Sequence, residues 1–192
     1  PNFLEVRQAL LATEINELMA SLVNEPEPSS YRPISELVSR GESLNLEFKS
    51  TLQWNVVQES QNRGLRDSSL KTLVAFMNSE GGTLLIGVED SGEIYGLEKD
   101  ISLAQNSEDG FIQLMSSLIV DKIGPQFAPL VRTRIYGVDG KPVCILDVNK
   151  SSEPAFVDGS RGREFYIQTG NTSRSLDPKQ TMDYIEAQFR GS

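Results

Sequence analysis

Residues 75–88, AFMNSEGGTLLIGV, carry the change from a helix to a buried strand around which the rest of the fold is predicted. The helix before the glycines has an apolar stripe at three- and four-residue spacing, formed by Leu70, Leu73, Val74 and Met77. Asp67 or Ser68 is predicted to cap it. Gly81 ends the helix because glycine adopts positive φ without steric cost. Residues 83–88 are almost all apolar, which is typical of a central strand covered on both faces.

Toward the N-terminus, residues 44–49 alternate apolar and polar side chains, which predicts a half-buried strand. The predicted core face carries Leu44, Leu46 and Phe48, and the other face carries Asn45, Glu47 and Lys49. A short helix is predicted over 34–38, and an exposed, mobile loop over 51–67.

Toward the C-terminus, hairpins and helices alternate. The predicted elements are a hairpin return at 94–97, a helix over about 108–121, strands 131–136 and 142–148 joined at Asp139-Gly140, a strand over 163–168, and a last helix opened by Asp177-Pro178. The buried side of that last helix is predicted to be Met182, Ile185 and Phe189. Together these elements predict an α+β fold, with a mixed or antiparallel sheet and hairpins flanked by helices.

The first 30 residues form a separate pattern. Residues 3–23 predict an amphipathic helix, and the Pro-, Ser- and acid-rich stretch 24–30 predicts a linker. We therefore expect a helix and linker over 1–30 and the main domain over 31–192. The helix is expected to pack on its own domain, to mediate a homodimer, or to join a fused partner domain.

Composition excludes several classes of site. The chain has no histidine, so Ser-His-Asp and Cys-His triads and His-containing zinc sites are excluded. A net charge of −9 opposes nonspecific nucleic-acid binding by the overall field, although it permits a local basic groove. No apolar run is long enough to predict a membrane span, and no secretory signal is recognisable, so we expect a cytoplasmic protein.

Acidic residues are predicted to converge beside the central strand. Glu42 precedes the 44–49 strand, Glu47 lies on it, and Glu89 and Asp90 end the central strand. Clustered carboxylates repel unless a cation compensates, and Mg²⁺ or Mn²⁺ suits oxygen ligands. A metal held by Glu42, Glu47 and Asp90, with Lys49 beside it, would allow phosphodiester cleavage. The other interpretation is that these acids are solvated and that Glu47 and Lys49 form a weak exposed pair.

Basic residues suggest contacts to a phosphate backbone. Arg132 and Arg134 share one face of a predicted strand, and Arg174 follows the polar stretch Gly170–Ser173. The candidate nucleic-acid contacts are Lys49, Arg132, Arg134, Asn171, Thr172 and Arg174. Trp54 and Tyr166 are candidates for stacking on bases, although packing is the commoner role of such residues.

Three segments, residues 41–49, 75–97 and 165–173, resemble in order and spacing the Schlafen AlbA-like domain. The resemblance covers roughly residues 40–175 and implies a nucleic-acid-binding, DNA- or RNA-binding regulatory module, such as a transcriptional regulator attached to other modules. In some members of that family, glutamates matching Glu42 and Glu47 and an acid matching Glu89-Asp90 are associated with RNA cleavage. The family usually has a basic residue where Gln168 stands, so one expected phosphate contact is missing.

Three functions therefore stay open at this point. The first is a nucleic-acid-binding regulatory module, the second is a divalent-metal-dependent endoribonuclease, and the third is a protein-interaction or oligomerisation domain of a larger protein.

Overall fold

The computed structural model of the chain describes residues 34–159 and 162–189. Its helices are α1 (Ile34–Arg40), α2 (Leu65–Met77), α3 (Glu98–Ser102), α4 (Glu108–Lys122), a 3₁₀ helix (Pro125–Leu130) and α5 (Pro178–Phe189). Its strands are β1 (Leu46–Lys49), β2 (Trp54–Asn55), β3 (Ser60–Gln61), β4 (Gly82–Ile86), β5 (Val131–Val138), β6 (Lys141–Val148), β7 (Val157–Gly159), β8 (Gly162–Glu164), β9 (Tyr166–Thr169) and β10 (Thr172–Ser175). Within these residues, no helix has the length and apolar character needed to cross a membrane.

A four-stranded mixed sheet lies at the centre, in the order β1-β4-β6-β5. β1 runs parallel to β4, and the other two pairings are antiparallel. The remaining strands form three two-stranded hairpins, β2–β3, β7–β8 and β9–β10. The predicted α+β fold with a mixed sheet, hairpins and flanking helices is therefore confirmed.

The strand register assigns side chains to the two faces of this sheet, because paired residues point to the same side. Phe48 pairs with Leu85, which pairs with Ile145, and all three pack in a small core that includes Ile34 of α1. Glu47 pairs with Leu84, which belongs to the larger core together with α2 and α4. Glu47 therefore lies on the face covered by the larger core, at the β1 edge.

The turn from α2 to β4 follows the prediction. Gly81 has a φ of +77°, and a Cβ atom there would lie 2.6 Å from the carbonyl oxygen of Val148. A Cβ atom on Gly82 would lie 2.7 Å from the ring of Phe76. Both glycines are therefore required for the close approach of α2 to the sheet.

Asn78 fixes this turn to three other parts of the chain. Its Nδ2 donates to the carbonyl oxygens of Ala155 (2.8 Å) and Tyr166 (2.9 Å), and its Oδ1 accepts from the Ala155 amide (2.8 Å). The Tyr184 hydroxyl donates to the Asn78 carbonyl at 2.8 Å. The end of α2 thereby holds the start of β9 and the side of α5.

Several local predictions are confirmed. The predicted helices at 34–38 and 108–121 are α1 and α4, and the β5–β6 hairpin turns at Asp139 and Gly140, which have φ values of 51° and 78°. Asp177 Oδ1 accepts from the Gln180 amide at 2.8 Å, while the Asp177 amide donates to Gln180 Oε1 at 3.3 Å. This reciprocal pair is a capping box at the start of α5.

Three predictions about single residues are wrong. Leu44 is 52% exposed, because residues 44 and 45 form a turn and β1 begins only at Leu46. The cap of α2 is Gly64, one full turn before the predicted cap. Met182 is 71% exposed, because the side of α5 that bears it is not covered.

The 51–67 segment is more ordered than its polar composition predicts. Leu52 and Gln53 are fully buried, and their amides donate to the Asp100 carboxylate at 3.1 and 2.8 Å. Asp100 belongs to α3, which the sequence analysis did not predict. The buried carboxylate thus anchors the segment from which the β2–β3 hairpin projects.

Two predicted strands are also shorter than expected. The 163–168 strand is divided at Phe165 between the β7–β8 and β9–β10 hairpins. The hairpin return at 94–97 is reduced to a single bridge between Val88 and Ile94.

The predicted N-terminal helix and linker lie outside the described residues. The boundary at residue 30, and the role of that helix in a homodimer or in joining a fused partner domain, stay predictions.

Candidate nucleic-acid interface

Glu47 is a buried carboxylate at the edge strand of the sheet. It is 9% exposed, which disagrees with the interpretation of Glu47 as a solvated acid, one of the two that its sequence position left open. Its Oε1 accepts from Lys49 Nζ at 2.6 Å, and its Oε2 finds no hydrogen-bond partner within the described residues. Burial raises the pKa of Glu47, the contact with Lys49 lowers it, and the nearby charges of Glu42 and Asp90 raise it again. Burial of the charged form of Glu47 therefore costs free energy.

Glu42 and Asp90 lie in the same region. The Phe48 amide donates to Glu42 Oε1 at 3.0 Å, so Glu42 folds back along β1. Asp90 lines a cavity together with Lys49, beyond the end of β4. Glu42 and Asp90 thus both lie close enough to Glu47 for their charges to raise its pKa.

These acids do not form a ready ligand set for a divalent ion. Within 34–159 and 162–189, no three His, Cys, Asp or Glu side chains are grouped so that they could hold a metal. The ammonium group of Lys49 occupies the Oε1 side of Glu47 instead. The described side chains are therefore not grouped around a common point for Mg²⁺ or Mn²⁺, and the metal site at Glu42, Glu47 and Asp90 stays a prediction.

Two neighbouring open cavities run along β1, and we call them together the β1 groove. One, of about 250 Å³, is lined by Glu47, Ser68, Lys71, Thr72, Tyr166, Thr172 and Ser173. The other, of about 360 Å³, is lined by Lys49, Ser50, Thr51, Trp54, Asn55, Val56, Leu65, Ser68 and Asp90. Ser68, near the start of α2, lies between them and lines both.

Lys71 is a further cation of this groove, beyond the predicted site residues. Its Nζ lies 3.8 Å from Glu164 Oε2 and 5.4 Å from the centre of the Tyr166 ring. Burial acts to lower the pKa of Lys71, but Tyr166 and Glu164 outweigh that effect and raise the pKa on balance. Lys71 is therefore an ammonium ion at neutral pH.

A signal for Lys71 was present in the sequence. Ser68, Lys71 and Thr72 are spaced i, i+3 and i+4, so they form a polar stripe on one side of a helix whose other side is apolar. Glu164, which accepts a hydrogen bond from the Tyr166 hydroxyl at 2.5 Å, had no such signal.

The structure divides the predicted phosphate-binding residues between two places. Lys49 and Thr172 line the β1 groove. Asn171 lies at the turn of the adjoining β9–β10 hairpin, and Arg174 lies exposed on β10.

Arg132 and Arg134 lie elsewhere, on β5, the strand at the far edge of the sheet. Arg134 pairs in register with Ile145, so both arginines belong to the face opposite Glu47. Arg134 also forms an ion pair with Asp147. Arg132 and Arg134 therefore do not border the acidic residues of β1.

Gln168 supports the hairpin from inside the domain. It is 6% exposed, its amide donates to Ser79 Oγ at 3.0 Å, and its Oε1 accepts from Ser173 Oγ at 3.1 Å. Gln168 therefore holds one wall of the β1 groove in place rather than lining it.

Comparison with known proteins relates this arrangement to one family. A family model described as "Schlafen, AlbA_2" matches residues 42–177. The crystal structure of the DIP2311 protein from Corynebacterium diphtheriae superposes with a TM-score of 0.50 at 23% identity, over 76% of this chain and 24% of that one. This chain thus spans about a quarter of that protein. The solution structure of the N-terminal domain of a RecG-related protein from Nitrosomonas europaea gives a TM-score of 0.48 at 18% identity, over 77% of this chain and 94% of that one.

Proposed function

This chain belongs to the Schlafen AlbA_2 family, and on that premise we propose that it binds nucleic acid in the β1 groove as a regulatory module. The family match supports a nucleic-acid-related function. The choice of the groove rests on one observation: two adjoining cavities join Lys49 to Lys71 through Ser68, with the β9–β10 hairpin as the outer wall.

The chemistry of the groove suits a phosphate backbone. Lysine ammonium groups contact phosphate as point charges, and hydroxyl groups add hydrogen bonds that position the chain. Lys49 and Lys71 supply the charges, while Ser68, Thr172 and Ser173 supply hydroxyls. Arg174, exposed next to Ser173 on the same hairpin, is the third cation that we propose to contact phosphate.

Because the net charge is −9, the affinity for nucleic acid depends on such local contacts. The field of the whole protein repels a polyanion, so affinity has to come from the few cations of the groove. If these three cations contact phosphates, the logarithm of the affinity for a single strand should fall against the logarithm of salt concentration with a slope of about −2.

The test is fluorescence anisotropy with labelled single-stranded RNA and DNA across a range of salt concentrations. Lys71→Gln is expected to weaken binding about fivefold and to make the salt slope less steep by about 0.7, because one phosphate contact to a single strand is lost. Lys122→Gln, at the exposed end of α4, is the matched control and should leave both quantities unchanged.

Substitution of Arg132 on β5 tests whether the interface lies on the other face of the sheet. If Arg132→Gln weakens binding and Lys71→Gln does not, the interface lies on the other face of the sheet and the groove assignment is wrong.

A second candidate function is cleavage of RNA in the same groove by Glu42, Glu47, Asp90 and Lys49, with the predicted Mg²⁺ or Mn²⁺. Glu47 Oε2 favours it, because this buried atom has no hydrogen-bond partner among the described residues and buried carboxylate oxygens are normally paired. The grouping of the acids does not support it. We therefore place binding first.

Cleavage is tested with end-labelled structured RNA, with and without added Mn²⁺ and a chelator. Glu47→Gln should abolish cleavage while binding persists, and Glu93→Gln, an exposed acid, should leave cleavage intact. Cleavage that survives Glu47→Gln, or proceeds equally in chelator, would exclude this function.

A further inference from the structure

We infer that the nucleic acid held in the β1 groove is single-stranded and that it inserts one unpaired base into a separate aromatic cavity beside the groove. This inference rests on the proposed function and specifies the class of nucleic acid.

The cavity lies between the β8–β9 segment, the end of β10 and α5. Its volume is about 660 Å³, within the range of ligand-binding cavities, which is about 300–1,000 Å³. Its lining includes Phe156, Glu164, Phe165, Tyr166, Leu176 and Met182. Arg163, Ser175 and Thr181 also line it, so aromatic and aliphatic groups are combined with polar side chains, as in sites that hold a flat organic ring.

Tyr166 connects this cavity to the β1 groove, because it is a lining residue of both. The Tyr166 hydroxyl donates to Glu164, a residue that lines the aromatic cavity. Lys71, which lines the groove, has its ammonium group 5.4 Å from the centre of the same ring. A phosphate bound at Lys71 and a base in the cavity would therefore both lie beside Tyr166, as two parts of one nucleotide.

Apolar groups stay exposed at this cavity, where a base could cover them. Phe156 is half-buried and packs on Phe165 with ring centres 5.1 Å apart. Met182, on the facing helix α5, is 71% exposed. Aromatic rings and thioethers both make favourable contacts with the face of a flat ring, and any base can use them regardless of sequence.

The charge of the cavity selects a base rather than a phosphate. Arg163 and Glu164 both line it, so their charges balance, and they offer one set of donors and one acceptor to the edge of a neutral ring. Bases in a duplex are stacked and paired, and entering a side cavity would require them to leave the stack. A single strand has no such requirement.

The experiment compares three ligands of equal phosphate number: a single-stranded oligonucleotide, an abasic single strand and a blunt duplex. We expect the wild-type protein to bind the single strand about tenfold more tightly than the abasic strand, from the stacking of one base. Phe156→Ala should remove most of that tenfold difference while leaving the abasic affinity unchanged.

Met182→Ser, at an exposed position, repeats the test with a variant that does not disturb the core. It should reduce the single-strand preference about threefold, because it removes one of the two apolar contacts to the base. Val120→Ser, another exposed apolar residue on a helix, is its matched control and should change nothing. If circular dichroism shows that Phe156→Ala is unfolded, the affinities of Met182→Ser for the normal and abasic strands test the base cavity instead.

The outcomes separate the two proposals. Equal affinity for the normal and abasic strands, or a duplex that binds as tightly as the single strand, overturns the base cavity while phosphate binding in the groove still stands. Failure to bind any of the three ligands overturns the proposed function, and the base cavity with it.

Discussion

The turn between α2 and β4 and the edge of β1 each contain a buried polar residue. The two residues differ in how completely their polar atoms are hydrogen-bonded. At the turn, Asn78 is 1% exposed, and both its Nδ2 and its Oδ1 are hydrogen-bonded to backbone groups. At the edge, Glu47 has one oxygen paired with Lys49 and one without a partner in the described part of the chain. Buried polar groups that serve only the fold are normally satisfied. Asn78 therefore belongs to the scaffold, whereas Glu47, which lines the β1 groove, keeps an oxygen that the described residues do not satisfy.

The largest effect is expected from Asn78→Ala, which should break the scaffold. Three backbone groups, the amide and carbonyl of Ala155 and the carbonyl of Tyr166, would lose their partner inside the protein. Each such loss costs about 1–3 kcal/mol, so the free energy of unfolding should fall by about 3 kcal/mol or more. Urea denaturation measures this.

Asn149→Ala, at an exposed asparagine near the same turn, is the control and should change stability by less than about 0.5 kcal/mol. Equal small effects for both variants would show that Asn78 does not organise the scaffold.

The next effect concerns the Glu47–Lys49 pair and is measured by a double-mutant cycle. Lys49→Met should lower the free energy of unfolding by about 2 kcal/mol at neutral pH, because it leaves a buried carboxylate without its cation. Adding Glu47→Gln to that variant should recover most of the loss, since the buried charge is then removed.

If the two substitutions were simply additive, the pair would contribute no coupling. Glu47 would then resemble an ordinary surface acid, and its contrast with Asn78 would disappear.

A smaller effect is expected in the pH dependence of stability. Burial raises the pKa of Glu47 above its ordinary value of 4.5, so the native state holds this proton more tightly than the unfolded chain does. Where the native state binds more protons, stability falls as pH rises, beginning near the ordinary pKa and ending above the raised one.

Glu47→Gln lacks this proton, so its stability relative to wild type should increase as pH rises from about 4 to about 7. The comparison is made by urea denaturation at several pH values. Asp100, whose pKa burial also raises, is present in both proteins and cancels. A difference that is constant or decreases with pH would contradict the raised pKa of Glu47.

Much of the scaffold could be predicted because local physics decides it. The apolar stripe of α2, the positive φ of Gly81 and the Asp139-Gly140 turn depend on neighbours in sequence, and the structure has all three. The prediction that Met182 is buried is wrong, because an apolar position on a helix is buried only where another element covers it.

The site was less predictable because contacts distant in sequence create it. The alternation of β1 shows that Glu47 shares a face with Lys49, but it cannot show that the β9–β10 hairpin, more than a hundred residues later, covers that face. Similarly, alternation places Arg132 and Arg134 together. The register with β6 decides that they point away from Glu47.

The most direct test of the β1 groove is a two-dimensional amide NMR titration of the protein with a single-stranded oligonucleotide at low salt. Binding in the β1 groove should concentrate the shift changes at residues 47–49, 68–72 and 172–174. Changes centred on 131–136 of β5, with the groove residues unaffected, would contradict it.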